Sequence, residues 1–219
     1  MDTTLHQFFS IYSANHVFGG NCQFIFKSLV SMSSIDHDYN EGEIIDFPLE
    51  EGKGRWSGLF NFFRNKYGMN PFISNVIEIF ASSYAHGNIY TILDDITKND
   101  PNVHFYTTDA PSSITIKQNY GKINLKGISF KARNDSPYTM KKFDIQGSNN
   151  GSEFKTIEEV DIGSNWCVHA QSEYTHVLSS SSDTYFQFIR IVQKSNNYNN
   201  NHLILKSIEF FGKYMKTSQ

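Results

Sequence analysis

An all-β sandwich or barrel is the fold class predicted for the region after about residue 75, preceded by an extension that holds one helix. Three observations predict it. Short segments of alternating apolar and polar residues recur from residue 75 to near the C-terminal end, the period of half-buried strands. Clusters of Gly, Asn, Asp, Ser and Pro separate these segments and supply the turns between them. A single segment, near residue 60, carries its apolar residues at helical spacing.

Taken in order, residues 1–55 are the least regular. In "CQFIFKSLVSM", Phe24, Phe26 and Leu29 suggest one strand. "SSIDHDYNEGE" reads as a polar connection, and "EIIDFPL" as a second strand that Pro48 confines to a sheet edge. In "WSGLFNFFRNKYG", Leu59, Phe60, Phe63 and Tyr67 fall on one helical face. Ser57 stands where a cap is needed at the start, and Gly68 where the helix must stop. The aromatic stripe is expected to pack into a core.

From residue 75 the strand segments are "NVIEIFASS", "SSITIKQN", "INLKGISFKAR", "KKFDIQGS", "YFQFIRIVQ" and "HLILKSIEFFG". In "FDIQGSNNGSEF", Phe143 and Ile145 alternate with Asp144 and Gln146, and a second apolar run resumes at Phe154 and Ile157. Asn149, Asn150 and Gly151 between them tolerate positive φ, so this is a β-hairpin. "QKSNNYNNNH" reads as a low-complexity Asn loop, solvated and mobile. Arg190 alternates with Phe188 and Val192 on a partly buried face, where an ion-pair partner is expected.

Composition narrows the function classes. The 219 residues include 19 Phe and 12 Tyr, enough to fill a core without staples. The net charge of −3 and the lack of a dense Lys/Arg stretch argue against nucleic acid. No apolar run reaches the roughly 18–20 residues a membrane span needs. The acidic start and broken apolar pattern of "MDTTLHQFFSIYSANHVF" argue against a secretory signal. Two reduced thiols are therefore expected at Cys22 and Cys167, with a disulfide between them the alternative in an oxidising compartment, and the sequons at Asn134 and Asn150 read as turn chemistry.

Catalysis lacks its parts. His86, His104, His169, His176 and His202 are scattered, and there is no Gly-x-Ser-x-Gly elbow or phosphate-binding loop. The cysteines lack the Cys-x-x-Cys spacing of a zinc or redox site. The chain is expected not to be an enzyme and to need no cofactor.

"FDIQGSNNGSEFKTIEEV" and "YFQFIRIVQKSNNYNNNHLILKSIEFFG", in that order, resemble the discoidin or coagulation factor V/VIII type C domain. "SSYAHGNIYTILDD" and "FYTTDAPSSITIKQN" are similar to its Ser-Ser start and first ligand-side loop. The resemblance covers about residues 74–213, with 1–73 as the N-terminal extension and 214–219 as a tail. It implies an antiparallel jelly-roll β-sandwich of the galactose-binding-like type. One position departs from the pattern: Ile114 stands where members often carry Trp.

The family's ligands sit in loops at one end of the sandwich. By position, that implies Tyr84, His86, Asn88, Asn134, Tyr138 and Tyr198 as candidate ligand residues. The family also holds a structural calcium near the loop "LDDITKNDPN", where Asp94, Asp95 and Asp100 offer hard oxygen ligands. A solvated turn is the main reading of that loop, and a calcium site the alternative. The chain is most similar to the family's intracellular branch, which implies a cytoplasmic protein with cytoskeletal or ciliary association. The function expected on this basis is non-catalytic binding of a protein partner as a scaffold subunit of an intracellular assembly, ubiquitin-ligase-like or ciliary and microtubule-associated. Phe8, Phe9, Tyr12, Phe18, Phe24 and Phe26 in the leader would supply the partner surface. A carbohydrate-binding lectin using the loop end is the alternative.

Overall fold

Residues 41–49, 55–94, 103–133, 138–163, 172–179 and 182–217 are described by the structure, a computed structural model. The expected strand at 22–32, the aromatic leader and both cysteines lie outside these residues. The chain begins with β1 (Ile44–Phe47), α1 (Leu59–Tyr67), β2 (Ile77–Ala81) and a 3-10 helix (Ile89–Leu93). Next come β3 (Phe105–Thr107), β4 (Ser113–Gln118), β5 (Gly121–Lys131), β6 (Met140–Ser148) and β7 (Lys155–Asp161). β8 (Glu173–Val177), β9 (Phe188–Asn196), β10 (Leu203–Leu205) and β11 (Ser207–Lys216) complete it.

Every strand pair is antiparallel. A five-stranded sheet runs β2-β4-β9-β6-β7, a four-stranded sheet β1-β11-β5-β8, and β10 pairs with β3 in a two-stranded ribbon. Alternation decides what lies between the two main sheets. Ile114, Ile116, Phe143, Ile145, Ile189 and Ile191 from one sheet meet Ile123, Leu125, Ile128, Phe130, Ile208 and Phe210 from the other in one buried cluster. Ile114 is fully buried within this cluster. β1 is an edge strand, as Pro48 requires.

β5 contains a break in its own pattern. Ile123 and Leu125 point inward on odd positions, yet Ile128 and Phe130 point inward on even ones. A one-residue slip would send half of these side chains to solvent. The register shows the remedy: Phe211 opposes Gly127 and Gly212 opposes Leu125, so Lys126 is the extra residue of a β-bulge. β5 thereby keeps its apolar residues in the core on both sides of the bulge.

α1 buries Leu59, Phe60 and Phe63, as the stripe predicts, and Gly68 ends it in the left-handed conformation at φ 67°. Phe60 lies 4.9 Å from Phe210 and Phe63 meets Tyr214 edge-on at 5.5 Å, so the helix docks on β11. The expected cap at Ser57 is corrected. Gly58 is the N-cap and makes no side-chain cap bond. The first-turn amides of Phe60 and Asn61 instead donate to the Glu209 carboxylate of β11, at 2.6 and 3.0 Å. A Cβ at position 58 would collide with the Phe210 carbonyl and crowd Glu209. Glu209 is fully buried, and Arg64 pairs with it at 3.3 Å while donating to the Leu93 carbonyl at 2.8 Å. Burial pushes the Glu209 carboxyl up to about 7, with Arg64 and the three amides that donate to it pulling the other way.

The Ser148–Phe154 turn joins β6 to β7 as expected. Gly151 takes the positive φ, at 73°. Asn150 acts through its side chain instead, its Oδ1 accepting from the amides of Ser152 and Glu153. Arg190 is a second correction. Its Nε donates to the Thr115 hydroxyl at 3.0 Å, and its guanidinium lies 3.5 Å from the Phe154 ring centroid. An aromatic face and a hydroxyl take the place of the expected carboxylate.

Candidate functional site

The ribbon of β3 and β10 builds the site from alternation alone. Phe105, Thr107, Leu203 and Leu205 are buried on its inner side. Tyr106 pairs directly with Ile204, so these two share the other face. His104 and His202, two residues before each, fall on that same face. A third segment joins on the far side of β3, where His86 bridges Tyr106 through reciprocal backbone bonds of 3.1 and 3.4 Å. Gly87 makes this approach feasible: it sits at φ 74°, and a Cβ there would strike the His104 carbonyl.

The rings on this face stack one against the next with nearly parallel planes. His86 is 4.9 Å from His104 and 5.6 Å from Tyr106, with interplanar angles of 25° and 15°. Tyr106 to His202 is 5.7 Å, and His202 to Tyr138 is 5.9 Å. Tyr138 then meets Tyr198 at 4.7 Å and 49°. Arg133 enters from the end of β5, its guanidinium 5.4 Å from the Tyr138 ring and its Nη1 3.3 Å from His104 Nε2. His86 and Tyr198 are exposed, while His104, Tyr106, Arg133, Tyr138 and His202 are half-buried.

Tyr198 is held out by a turn built from asparagine. Asn196 is fully buried, its Oδ1 accepting from the amides of Tyr198 and Asn200 and its Nδ2 donating to the His202 carbonyl at 2.9 Å. Asn199 takes φ 56°, a conformation asparagine tolerates. The segment expected to be a solvated, mobile loop is therefore a hydrogen-bonded presenter of Tyr198 and His202. Its low complexity hid one buried anchor among exposed neighbours.

Of the expected ligand residues, the fold brings His86, Tyr138 and Tyr198 into this row. Tyr84 and Asn88 are not part of it. Tyr84 sits edge-on to the buried Phe105 at 5.8 Å and receives the Ala81 amide at 3.3 Å. Asn88 leads into the 3-10 helix, with its carbonyl taking the Thr91 hydroxyl and its amide bonding the Tyr90 hydroxyl. Asn134, Asp95 and Asp100 lie outside the described residues. Asp94 accepts from the Asn70 side-chain amide at 2.6 Å. Among the described residues no group of three metal-ligating side chains comes together.

His104, Tyr106, His202 and Arg133 complete the row and were not foreseen as ligand residues. The signal was present as His104-x-Tyr106 and His202-x-Ile204, two-residue alternations on strands only three residues long. Elsewhere, His176 Nε2 meets Glu158 Oε1 at 3.0 Å across the edges of the two sheets. The second Glu158 oxygen takes the Ser179 amide, which makes the pair a clasp between β7 and β8. Burial, and then the Glu158 charge, raise the nearby Tyr174 phenol above its ordinary range.

The face so built combines flat apolar rings with imidazole, phenol and guanidinium edges. Such a surface can pack against an apolar ligand face and hydrogen-bond the polar groups around its rim. No protein-family model and no curated protein matches the chain. Solved structures do match. A family 32 carbohydrate-binding module from a family 31 glycoside hydrolase of Clostridium perfringens superposes with a TM-score of 0.50 at 18% identity, covering 63% of this chain and 92% of its own. A second family 32 module from that organism, in complex with GalNAc-β-1,3-galactose, gives 0.49 at 16% identity, over 63% of this chain and 96% of its own. A third, in complex with galactose, gives 0.48 at 12%, over 63% and 94%. Among the described residues no helix is long and apolar enough to cross a membrane. With its antiparallel sheets and its likeness to the first of these modules, the chain folds as an antiparallel jelly-roll β-sandwich of the galactose-binding-like type.

Proposed function

We propose that the chain is a non-catalytic carbohydrate-binding module and that its ligand sits on the His86–Tyr198 row. One observation carries this reading: four separate segments deliver rings and a guanidinium to the same half-exposed face. A pyranose has an apolar C–H side and a rim of hydroxyls. The exposed faces of His86 and Tyr198 suit the first, and the nitrogen and phenol edges between them suit the second. Binding sites that mix aromatic lining with a few convergent polar groups are the ordinary pattern for small polar ligands.

A glycan array probed with the full chain, followed by calorimetric titration of galactose, tests the reading. Saturable binding is expected, with loss of roughly tenfold or more in affinity on Tyr198→Ala or Arg133→Ala. Circular dichroism should show both variants folded. A blank array with a folded chain overturns the proposal in favour of a protein ligand.

A further inference from the structure

Asn196 ends β9 and is fully buried. One edge of its side-chain amide meets the backbone N–H groups of Tyr198 and Asn200, at 3.1 Å each. The other edge meets the His202 carbonyl at 2.9 Å and Asn200 Oδ1 at 2.7 Å. Partner chemistry decides which edge is which. Two N–H donors demand the oxygen and two oxygens demand the –NH2 group, so the amide has one orientation and both of its protons are used. Asn200 Oδ1 also accepts the His202 N–H at 3.0 Å. The carbonyl of His202 is therefore held by Asn196, and its N–H by an Asn200 that Asn196 holds in turn. Asn197 donates from its backbone to the Thr139 carbonyl at 3.0 Å and from its side chain to the Thr139 hydroxyl at 2.9 Å. The residue after Tyr138 is thus fastened to the same turn.

We infer that Asn196 is a positioning residue for the ligand face: its amide sets where Tyr198 and His202 stand relative to Tyr138, 4.7 and 5.9 Å away. This rests on the reading above that the face binds carbohydrate. Being fully buried, Asn196 reaches no ligand itself. An Asn-rich turn has many conformations open to it, and a buried amide with four partners selects one. The rings are then in place before a ligand arrives, so the cost of ordering them does not fall on binding. The two edges also explain why the position takes Asn rather than Asp. A carboxyl still offers an oxygen to the Tyr198 and Asn200 amides, but it carries at most one proton for the two oxygens on its other side. With Asp, at least one of the two links to His202 is lost.

Galactose is titrated into the full chain, into Asn196→Asp and into Phe63→Ala, a chain destabilised at the contact of α1 with β11 instead. Ring-to-ring nuclear Overhauser effects among Tyr138, Tyr198 and His202 are recorded on each without sugar. Asn196→Asp is expected to stay folded by circular dichroism, to lose roughly tenfold in affinity, the scale of one hydrogen bond, and to lose the His202–Tyr138 ring contact. Phe63→Ala is expected to keep the parent's affinity and its ring contacts, so that lowered stability alone does not account for the loss. Parent affinity or parent ring contacts in Asn196→Asp overturn the inference, as does an equal affinity loss in Phe63→Ala. Should Asn196→Asp fail to fold, Asn200→Ala decides, because it leaves the Tyr198 amide capped and releases only the His202 side; the same two losses are expected, and parent behaviour overturns the inference. If no chain binds galactose while the ring contact is lost as stated, the carbohydrate reading falls and the positioning role of Asn196 stands.

Discussion

Glu209→Ala removes the acceptor that starts α1. The carboxylate takes the Phe60 and Asn61 amides and the Arg64 guanidinium, all from the one helix. Truncation leaves two first-turn amides without their cap and a cation whose side chain is 11% exposed without its anion. Breaking one partner of a buried ion pair costs about 3–5 kcal/mol, and the orphaned amides belong to the same loss rather than adding to it. For a unit of this size that corresponds to a fall of about 6–20 °C in Tm. Urea unfolding followed by circular dichroism measures it. A Glu209→Ala chain within about 0.5 kcal/mol of the parent would show that the helix is held by Phe60 and Phe63 alone.

The same carboxyl makes stability depend on pH, and the sign follows from the direction of its shift. Burial raises Glu209 from its ordinary 4.5 to about 7 in the folded chain. A raised folded value means the folded state binds the proton more tightly than the unfolded one. The contribution is therefore fully present below about 4.5 and is lost as pH rises through about 7, by about 3 kcal/mol in all. Glu209→Gln imitates the protonated form and should flatten this part of the profile. Unfolding measured from pH 4.5 to 8 in both chains isolates the term as a difference. Parallel profiles would refute the assignment.

Further outcomes are open to direct measurement. Phe63→Ala should cost about 3–5 kcal/mol in chemical denaturation, because its ring is 4% exposed and packed on Tyr214; an unchanged Tm would mean an undocked helix. Gly87→Ala should lower stability by about 1–3 kcal/mol and weaken galactose binding together, since the added Cβ must push His104 away; retained affinity would remove His86 from the site. Asp94 already has a neutral amide partner in Asn70, so melts in calcium and in chelator should coincide, and a lower Tm in chelator would assign an ion to the acidic loop.

The sequence by itself determined the helix, most strands and the β6–β7 turn, because each depends on residues close together in the chain; β3 and β8 fall outside the segments it marked. Alternation in "SSITIKQN" and "KKFDIQGS" specifies which side chains face the core, Pro48 specifies an edge, Gly68 a helix end, and Gly151 a reversal. Tertiary structure decided whatever needed a partner far along the chain. Ser57 satisfied the local rule for a cap, yet Glu209, 149 residues from Phe60, supplies it. Arg190 found Phe154 and Thr115 rather than a carboxylate. The site divides in the same way: His86, Tyr138 and Tyr198 stood out as loop residues, whereas His104, Tyr106, His202 and Arg133 acquire meaning only when β3 pairs with β10. Local periodicity sets which face a residue occupies, and only the closed fold sets what it faces.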